Sequence, residues 1–108
     1  MKPDCLKKDM SIFKGTSKQI QICFILHCEL YQMEENDSLI LQVIDYRNDD
    51  NIVIEKVLYG DNCFNFVPSD TRDLDVGFYR WNVKFKPQNS QEIYEIISPS
   101  IFHIKAGE

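Results

Sequence analysis

Cysteine and histidine side chains are the first candidates for chemistry in this sequence, because thiolates and imidazoles bind zinc. Cys23, His27 and Cys28 lie close together along the chain. In an extended strand, Cys23 and His27 point to one side and Cys28 to the other, so the three cannot converge on one ion. We therefore predict no zinc site. We expect the cysteines to be reduced and to act as small buried hydrophobes, apart from Cys5 in the N-terminal tail.

Histidine could also serve as the base for a nucleophilic serine or cysteine, which requires the two groups to be within hydrogen-bond reach. The two histidines, His27 and His103, both lie in strand-like alternating segments with no glycine-rich loop or nucleophile elbow nearby. Exposed strand positions explain them more simply. The histidines therefore do not indicate a catalytic centre.

Carboxylates are the remaining candidates, either as an acid–base pair or as calcium ligands. The pairs at 34–35 and 49–50, and the spaced acids Asp70, Asp73 and Asp75, all lie in polar turns. Solvated carboxylates have no apolar surroundings to raise the pKa as a general acid requires. Neither acidic turn has the twelve-residue pattern and closing Glu of a calcium loop. We predict no enzyme, no metal and no cofactor.

Length and charge limit the possibilities further. A chain of 108 residues fits one domain with one modest core. Its formal net charge of -5 and lack of a basic run disfavour nucleic-acid binding. No stretch approaches the roughly twenty apolar residues of a membrane span, and the first nine residues contain no apolar secretion signal. We expect a protein made in the cytoplasm that contacts neither nucleic acid nor membrane.

The pattern of apolar residues predicts the elements that would position these side chains. Alternating apolar residues indicate strands at 19–28, 39–46, 52–59, 63–67, 78–85, 92–97 and 101–105, separated by polar turns. A short helical turn is expected at 69–74, with only Leu74 facing inward. Seven or eight short strands indicate an all-β antiparallel sandwich spanning residues 14–106. Residues 1–13 form a loose leader that gains order only by pairing with a sheet edge or a partner, and 107–108 end the chain.

The core predicted for this sandwich consists of the inward-facing residues of the alternating segments. Its members are Ile22, Phe24, Leu41, Val43, Ile54, Phe64, Phe66, Leu74, Tyr79, Trp81, Val83, Ile96, Phe102 and Ile104.

One segment resembles a known structural motif. Leu74-x-x-Gly77-x-Tyr79-x-Trp81 is similar to the tyrosine corner of immunoglobulin-like sandwiches. The resemblance implies that the Tyr79 hydroxyl bonds back to the preceding turn and that Gly77 gives this turn its backbone freedom. Trp81 stands where an immunoglobulin domain has its second bridging cysteine. The expected fold is therefore immunoglobulin-like, with packing in place of the disulfide.

A wider resemblance covers residues 14–106. Lys14-Gly15-Thr16-Ser17, the segments at 35–41 and 64–71, Gly77-Phe78-Tyr79-Arg80-Trp81, and Ser98-Pro99-Ser100 before the last strand resemble small proteins of Gram-positive phages and prophages. Those proteins are similar to the sandwich modules of tails and baseplates. The resemblance implies a structural or assembly role in a virion, with other tail proteins or further copies of the chain as partners. The alternative is a bacterial adhesion or ligand-binding module of the same fold.

The β-prone segments that lack guarding charges are the candidate contact surfaces. Sheet edges are normally protected by charge or proline, and two segments of this chain are only lightly protected. Burial on both sides is one explanation for them and a subunit interface is the other. The candidate interface residues are Ile52, Val53, Ile54, Ile93, Tyr94, Ile96 and Ile97.

Overall fold

The computed structural model describes residues 8–26, 28–88 and 90–107. These residues form nine strands and one short helix, so the fold is all-β. The elements are β1 (Met10–Phe13), β2 (Lys18–Gln21), β3 (Ile25–Leu26), β4 (Glu29–Leu30), β5 (Ser38–Asp45), β6 (Asn51–Tyr59), β7 (Cys63–Phe66), α1 (Pro68–Thr71), β8 (Gly77–Lys86) and β9 (Tyr94–Lys105).

Five strands form the main sheet in the order β1-β9-β8-β5-β6. Strands β9, β8, β5 and β6 pair antiparallel, whereas β1 pairs parallel with the end of β9. The sheet is therefore mixed and not wholly antiparallel as predicted. Parallel strands need a long connection and not a hairpin, and here the rest of the domain lies between β1 and β9. Strand β1 lies within the predicted leader and is ordered by pairing with a sheet edge. Residues 1–7 lie outside the described ranges.

The inner face of the main sheet carries the hydrophobic core. A smaller antiparallel pair, β2 and β7, contributes to the same core, and the ring of Phe66 lies 5.6 Å from that of Phe102 on β9. Every predicted core residue is buried except Leu74, which is half-buried and packs against the others. Among the described residues, the prediction omitted four buried hydrophobic ones: Ile12, Leu39, Phe85 and Ile97.

The segment predicted as one strand over 19–28 is divided. Strand β2 ends at Gln21, and β3 and β4 form a small hairpin whose turn includes Cys28 at a positive φ of 65°. Cys23 and Cys28 are exposed and Cys63 is half-buried, so the prediction of buried cysteines is wrong for these three. Cys23 alternates with the buried Ile22 and Phe24, Cys63 precedes the buried Phe64, and Cys28 lies in a turn, so none of the three is at an inward-facing position. Cys5 and His27 lie outside the described residues.

Helix α1 occupies the predicted position and is anchored at both ends. Pro68 begins it, and the Asp70 carboxylate accepts the Val67 N–H at 2.8 Å. Thr71 is fully buried, in contrast to the prediction that only Leu74 faces inward. Its hydroxyl accepts the Gly15 N–H at 2.9 Å, so the turn before β2 is tied to the helix. The helix thus closes one edge of the core.

Candidate interaction surface

The predicted tyrosine corner lies at the start of β8. The Tyr79 hydroxyl donates to the Asp75 carbonyl at 2.7 Å, the hydrogen bond that the motif implies. Gly77 has a φ of 150°, which side chains rarely adopt. The Arg47 guanidinium lies 5.4 Å from the Tyr79 ring centre. Burial and the nearby Asp45 carboxylate raise the pKa of the Tyr79 hydroxyl, so it remains a donor.

Trp81, the third predicted corner residue, is part of the core. Its side chain is buried, and its indole N–H donates to the Lys8 carbonyl at 2.8 Å. This bond ties the segment before β1 to the middle of β8, which satisfies the only polar group of the ring. The three corner residues are therefore close together and their contacts are structural.

The predicted interface residues are not brought together. Ile54, Ile96 and Ile97 are buried and belong to the core. Ile54 lies opposite Val43 on the inner face. The β8–β9 pairing shifts register twice between Trp81 and Lys84, so strict alternation is lost and the neighbouring residues Ile96 and Ile97 are both covered. Burial, the first of the two explanations offered for these segments, accounts for all three, and Ile54 and Ile96 were also predicted as core residues.

The remaining four interface candidates lie at opposite ends of the main sheet. Ile52 is 46% exposed at the start of β6 and Val53 beside it is half-buried. Ile93 is exposed just before β9, and Tyr94 is half-buried opposite Phe85 at the end of β8. One continuous surface cannot contain both groups. The exposed candidates are therefore two separate sites.

Apolar residues on the outer face of the main sheet, which is the face opposite the core, are the feature that the sequence interpretation missed. Ile40 lies opposite Val57, and Ile44 lies opposite Ile52. Val57 and Ile52 are 44% and 46% exposed. The signal was present in β5, where Ile40 and Ile44 break the simple alternation of apolar and polar residues. The two apolar pairs lie on the solvent side and are separated by one hydrogen-bonded polar pair.

At the β5–β6 turn, the pair Ile44 and Ile52 lies beside an aromatic ring and an arginine. Arg80 lies opposite Ile44, and its guanidinium is 5.0 Å from the centre of the exposed Tyr46 ring. We call Ile44, Tyr46, Ile52 and Arg80 the contact patch. Tyrosine and arginine are the residue types most enriched at the energetic centres of protein interfaces, and aliphatic neighbours exclude water from them.

The opposite end of the sheet is organised by a buried carboxylate. Asp37 is 0% exposed and accepts the backbone N–H of Glu34 at 2.9 Å and of Gln88 at 2.7 Å. The Tyr31 hydroxyl also donates to it. Burial, reinforced by this acid, raises the pKa of Tyr31 far above its usual range. We call Asp37, Tyr31, Glu34 and Gln88 the Asp37 node.

The residues first considered for catalysis or metal binding have other partners or lie apart. His103 stacks on Phe78 with ring centres 4.2 Å apart, and Asp70 pairs with Lys56 at 2.8 Å. Within the described ranges, no three His, Cys, Asp or Glu side chains are grouped so that they could hold a metal ion. No helix in those ranges reaches the length and hydrophobicity of a transmembrane segment.

Comparison of the chain with protein-family models, with curated proteins and with solved structures gave no match. The function of this chain is therefore inferred from the surfaces described above and from the resemblance over residues 14–106.

Proposed function

We propose that this chain is a non-catalytic, immunoglobulin-like β-sandwich module that works through protein–protein contacts, as a structural or assembly component of a phage tail or baseplate. The observation that carries the contact role is the contact patch on the outer face of the main sheet. It combines the exposed Ile52 and the half-buried Ile44 with the residue types that dominate interface energetics.

The immunoglobulin-like assignment is supported by the order of the strands. In such domains the last two strands of the chain lie beside a central strand, and variable-type domains add a further strand next to it. The order β9-β8-β5-β6 is consistent with this arrangement, and β2 with β7 would belong to the second sheet. The bond between Tyr79 and Asp75 supports it independently.

The edge formed by β6 supports assembly. Strand β6 is an edge strand of the main sheet, and no described strand pairs with its free edge. Glu55 and Lys56 place charges at its centre, but the segment Ile52–Ile54 before them has none. An edge of this kind can accept a strand from a neighbouring subunit, with the contact patch buried beside it. The phage assignment itself rests on the resemblance over residues 14–106.

The test is size-exclusion chromatography with light scattering over a concentration series. We expect a discrete oligomer at high concentration, and Ile52→Lys should raise its dissociation constant at least tenfold, about 1.4 kcal/mol, by burying an unpaired charge. Ile93→Lys is the matched control, because this exposed isoleucine lies at the other end of the sheet.

A strict monomer at every concentration would contradict self-assembly and leave contact with a different subunit as the only form of the proposal. Loss of the oligomer in Ile93→Lys, with Ile52→Lys unaffected, would contradict the choice of surface.

The alternative function, an adhesion or ligand-binding module, is favoured by one specific feature, a groove beside the Asp37 node.

A further inference from the structure

We infer that the groove beside the Asp37 node is a binding site for a neutral saccharide. The groove has a volume of about 630 Å³ and lies between the second half of β6 and the loop that follows β8. This volume is within the range of pockets that hold small molecules. The site lies at the opposite end of the sheet from the contact patch, so the inference goes beyond the proposed assembly role.

The floor of the groove is apolar and includes one strongly exposed aromatic ring. Ile40 and Val57 face each other across β5 and β6, and Tyr59 at the end of β6 is 72% exposed. A flat exposed ring with a polar hydroxyl at its tip can hold the C–H face of a sugar and still hydrogen-bond at its edge. Tyr59 is the natural platform for such a ligand.

The walls of the groove supply uncharged hydrogen-bonding groups. Of the ten described residues that line it, five are Asn, Gln or Ser, none is Asp or Glu, and Lys86 is the one cation. The exposed amides of Asn36 and Gln91 each offer a donor and an acceptor, the combination that matches a hydroxyl group. An acidic peptide would need more than one cation, and an apolar peptide would leave these amides unpaired.

The groove is held in shape before any ligand arrives. The Gln88 N–H bonds to the buried Asp37 carboxylate at 2.7 Å, and the Gln88 amide donates to Glu34 at 2.5 Å. The Gly60 N–H, just after Tyr59, donates to the Asp37 carbonyl at 2.9 Å. Both walls are therefore fixed to one buried residue. A preformed site lowers the entropic cost of binding, which matters most for a weak ligand such as a sugar.

The test is an NMR titration of the isotope-labelled full chain with chitotetraose, cellotetraose and maltotetraose, at a protein concentration where light scattering gives a monomer. We expect at least one probe to shift the backbone amides of Tyr59, Lys86 and Gln91, with a dissociation constant of about 1 mM or below. Tyr59→Ala should weaken binding at least tenfold. Phe78→Ala, which removes an exposed aromatic ring at the other end of the sheet, is the matched control and should bind as the parent does.

Three results would overturn the inference: no shift with any of the three probes, shifts that Tyr59→Ala leaves unchanged, or binding lost equally in Phe78→Ala. The dispersion of the amide spectrum reports the folding of each variant in the same experiment. An acidic peptide that shifts these amides when the oligosaccharides do not would assign the groove to a protein segment. Because the oligomer test uses Ile52 and this one uses Tyr59, failure of one proposal is distinguishable from failure of the other.

Discussion

Each end of the main sheet is stabilised by a hydrogen bond that a tyrosine hydroxyl donates, but the two hydroxyls have different acceptors. At the corner, Tyr79 donates to the backbone carbonyl of Asp75, only four residues earlier. At the node, Tyr31 donates to the Asp37 carboxylate, which also accepts a backbone N–H from Gln88, 51 residues away. The corner stabilises one turn. The node joins residues 31–37 to the loop after β8, and the Asp37 backbone also binds Gly60 after β6.

This difference affects how much each end depends on a single residue. The Asp75 carbonyl belongs to an exposed residue and can turn to water if its partner is lost. The Asp37 carboxylate is fully buried and accepts three hydrogen bonds, whereas the Asp75 carbonyl accepts one from Tyr79. We therefore expect substitutions of the hydrogen-bonding side chains to cost more free energy of unfolding at the node than at the corner.

The largest effect should come from Asp37→Ala. It removes the acceptor of three hydrogen bonds, from the Tyr31 hydroxyl and from the N–H groups of Glu34 and Gln88, at a cost of about 3–5 kcal/mol in the free energy of unfolding. Urea denaturation measures it. Asp73→Ala, an exposed acid in the loop before β8, is the control and should change stability by less than about 0.5 kcal/mol. Equal effects would mean that the node is not the anchor of its end.

Glycine substitutions compare the two ends by sterics. Gly60, beside the node, has a φ of 66°, and an added Cβ would lie 3.1 Å from the Glu35 carbonyl oxygen, which is backbone and cannot move easily. At Gly77, in the corner, the nearest atom is the flexible Arg47 guanidinium at 3.4 Å. Both substitutions strain the backbone, and we expect Gly60→Ala to cost about 2–3 kcal/mol through this backbone contact. Gly77→Ala should cost at least as much in the same thermal or urea measurement, because a φ of 150° is essentially confined to glycine, whereas a φ near 60° occurs at non-glycine residues of this chain.

The tyrosines provide the most direct comparison, because Phe removes only the hydroxyl. Tyr31→Phe should cost about 2 kcal/mol, since its acceptor is a carboxylate, and Tyr79→Phe about 1 kcal/mol, since its acceptor is a carbonyl. A double-mutant cycle of Tyr31→Phe with Asp37→Ala should give a clear coupling energy, whereas Tyr79→Phe with Asp37→Ala should be additive. Coupling between Tyr79 and Asp37 would contradict the independence of the two ends.

The same contrast explains what could be predicted from the sequence. The corner was predictable because Gly77, Tyr79 and the turn that accepts the bond are neighbours in the chain, and the core was largely predictable from alternation. The node was not, because Asp37 lies in an acidic stretch that is typical of a solvated turn, and its burial depends on Gln88 far along the chain. The burial of Ile97 beside the predicted core residue Ile96 likewise depends on register shifts that no local pattern encodes.

Alkaline pH should produce the smallest of these effects, but it separates the two tyrosines without altering the volume of the core. The pKa of Tyr31 and the pKa of Tyr79 are both raised by burial, so above pH 10, their approximate unfolded value, the unfolded chain loses protons that the folded chain keeps. The stability that these two hydroxyls contribute is fully present below about pH 10 and is lost as the pH rises through their raised pKa values.

Urea unfolding at a series of pH values between about 8 and 11 measures this dependence. Tyr31→Phe should flatten the alkaline decline more than Tyr79→Phe, because the Asp37 carboxylate adds to burial at Tyr31, whereas the Arg47 guanidinium opposes burial at Tyr79. Tyr94→Phe is the control, since its raised pKa comes first from a hydrogen bond to Glu92 near the chain surface. If Tyr79→Phe flattened the decline as much as Tyr31→Phe, the two ends would be electrostatically equivalent and the distinction between a local corner and a buried node would fail.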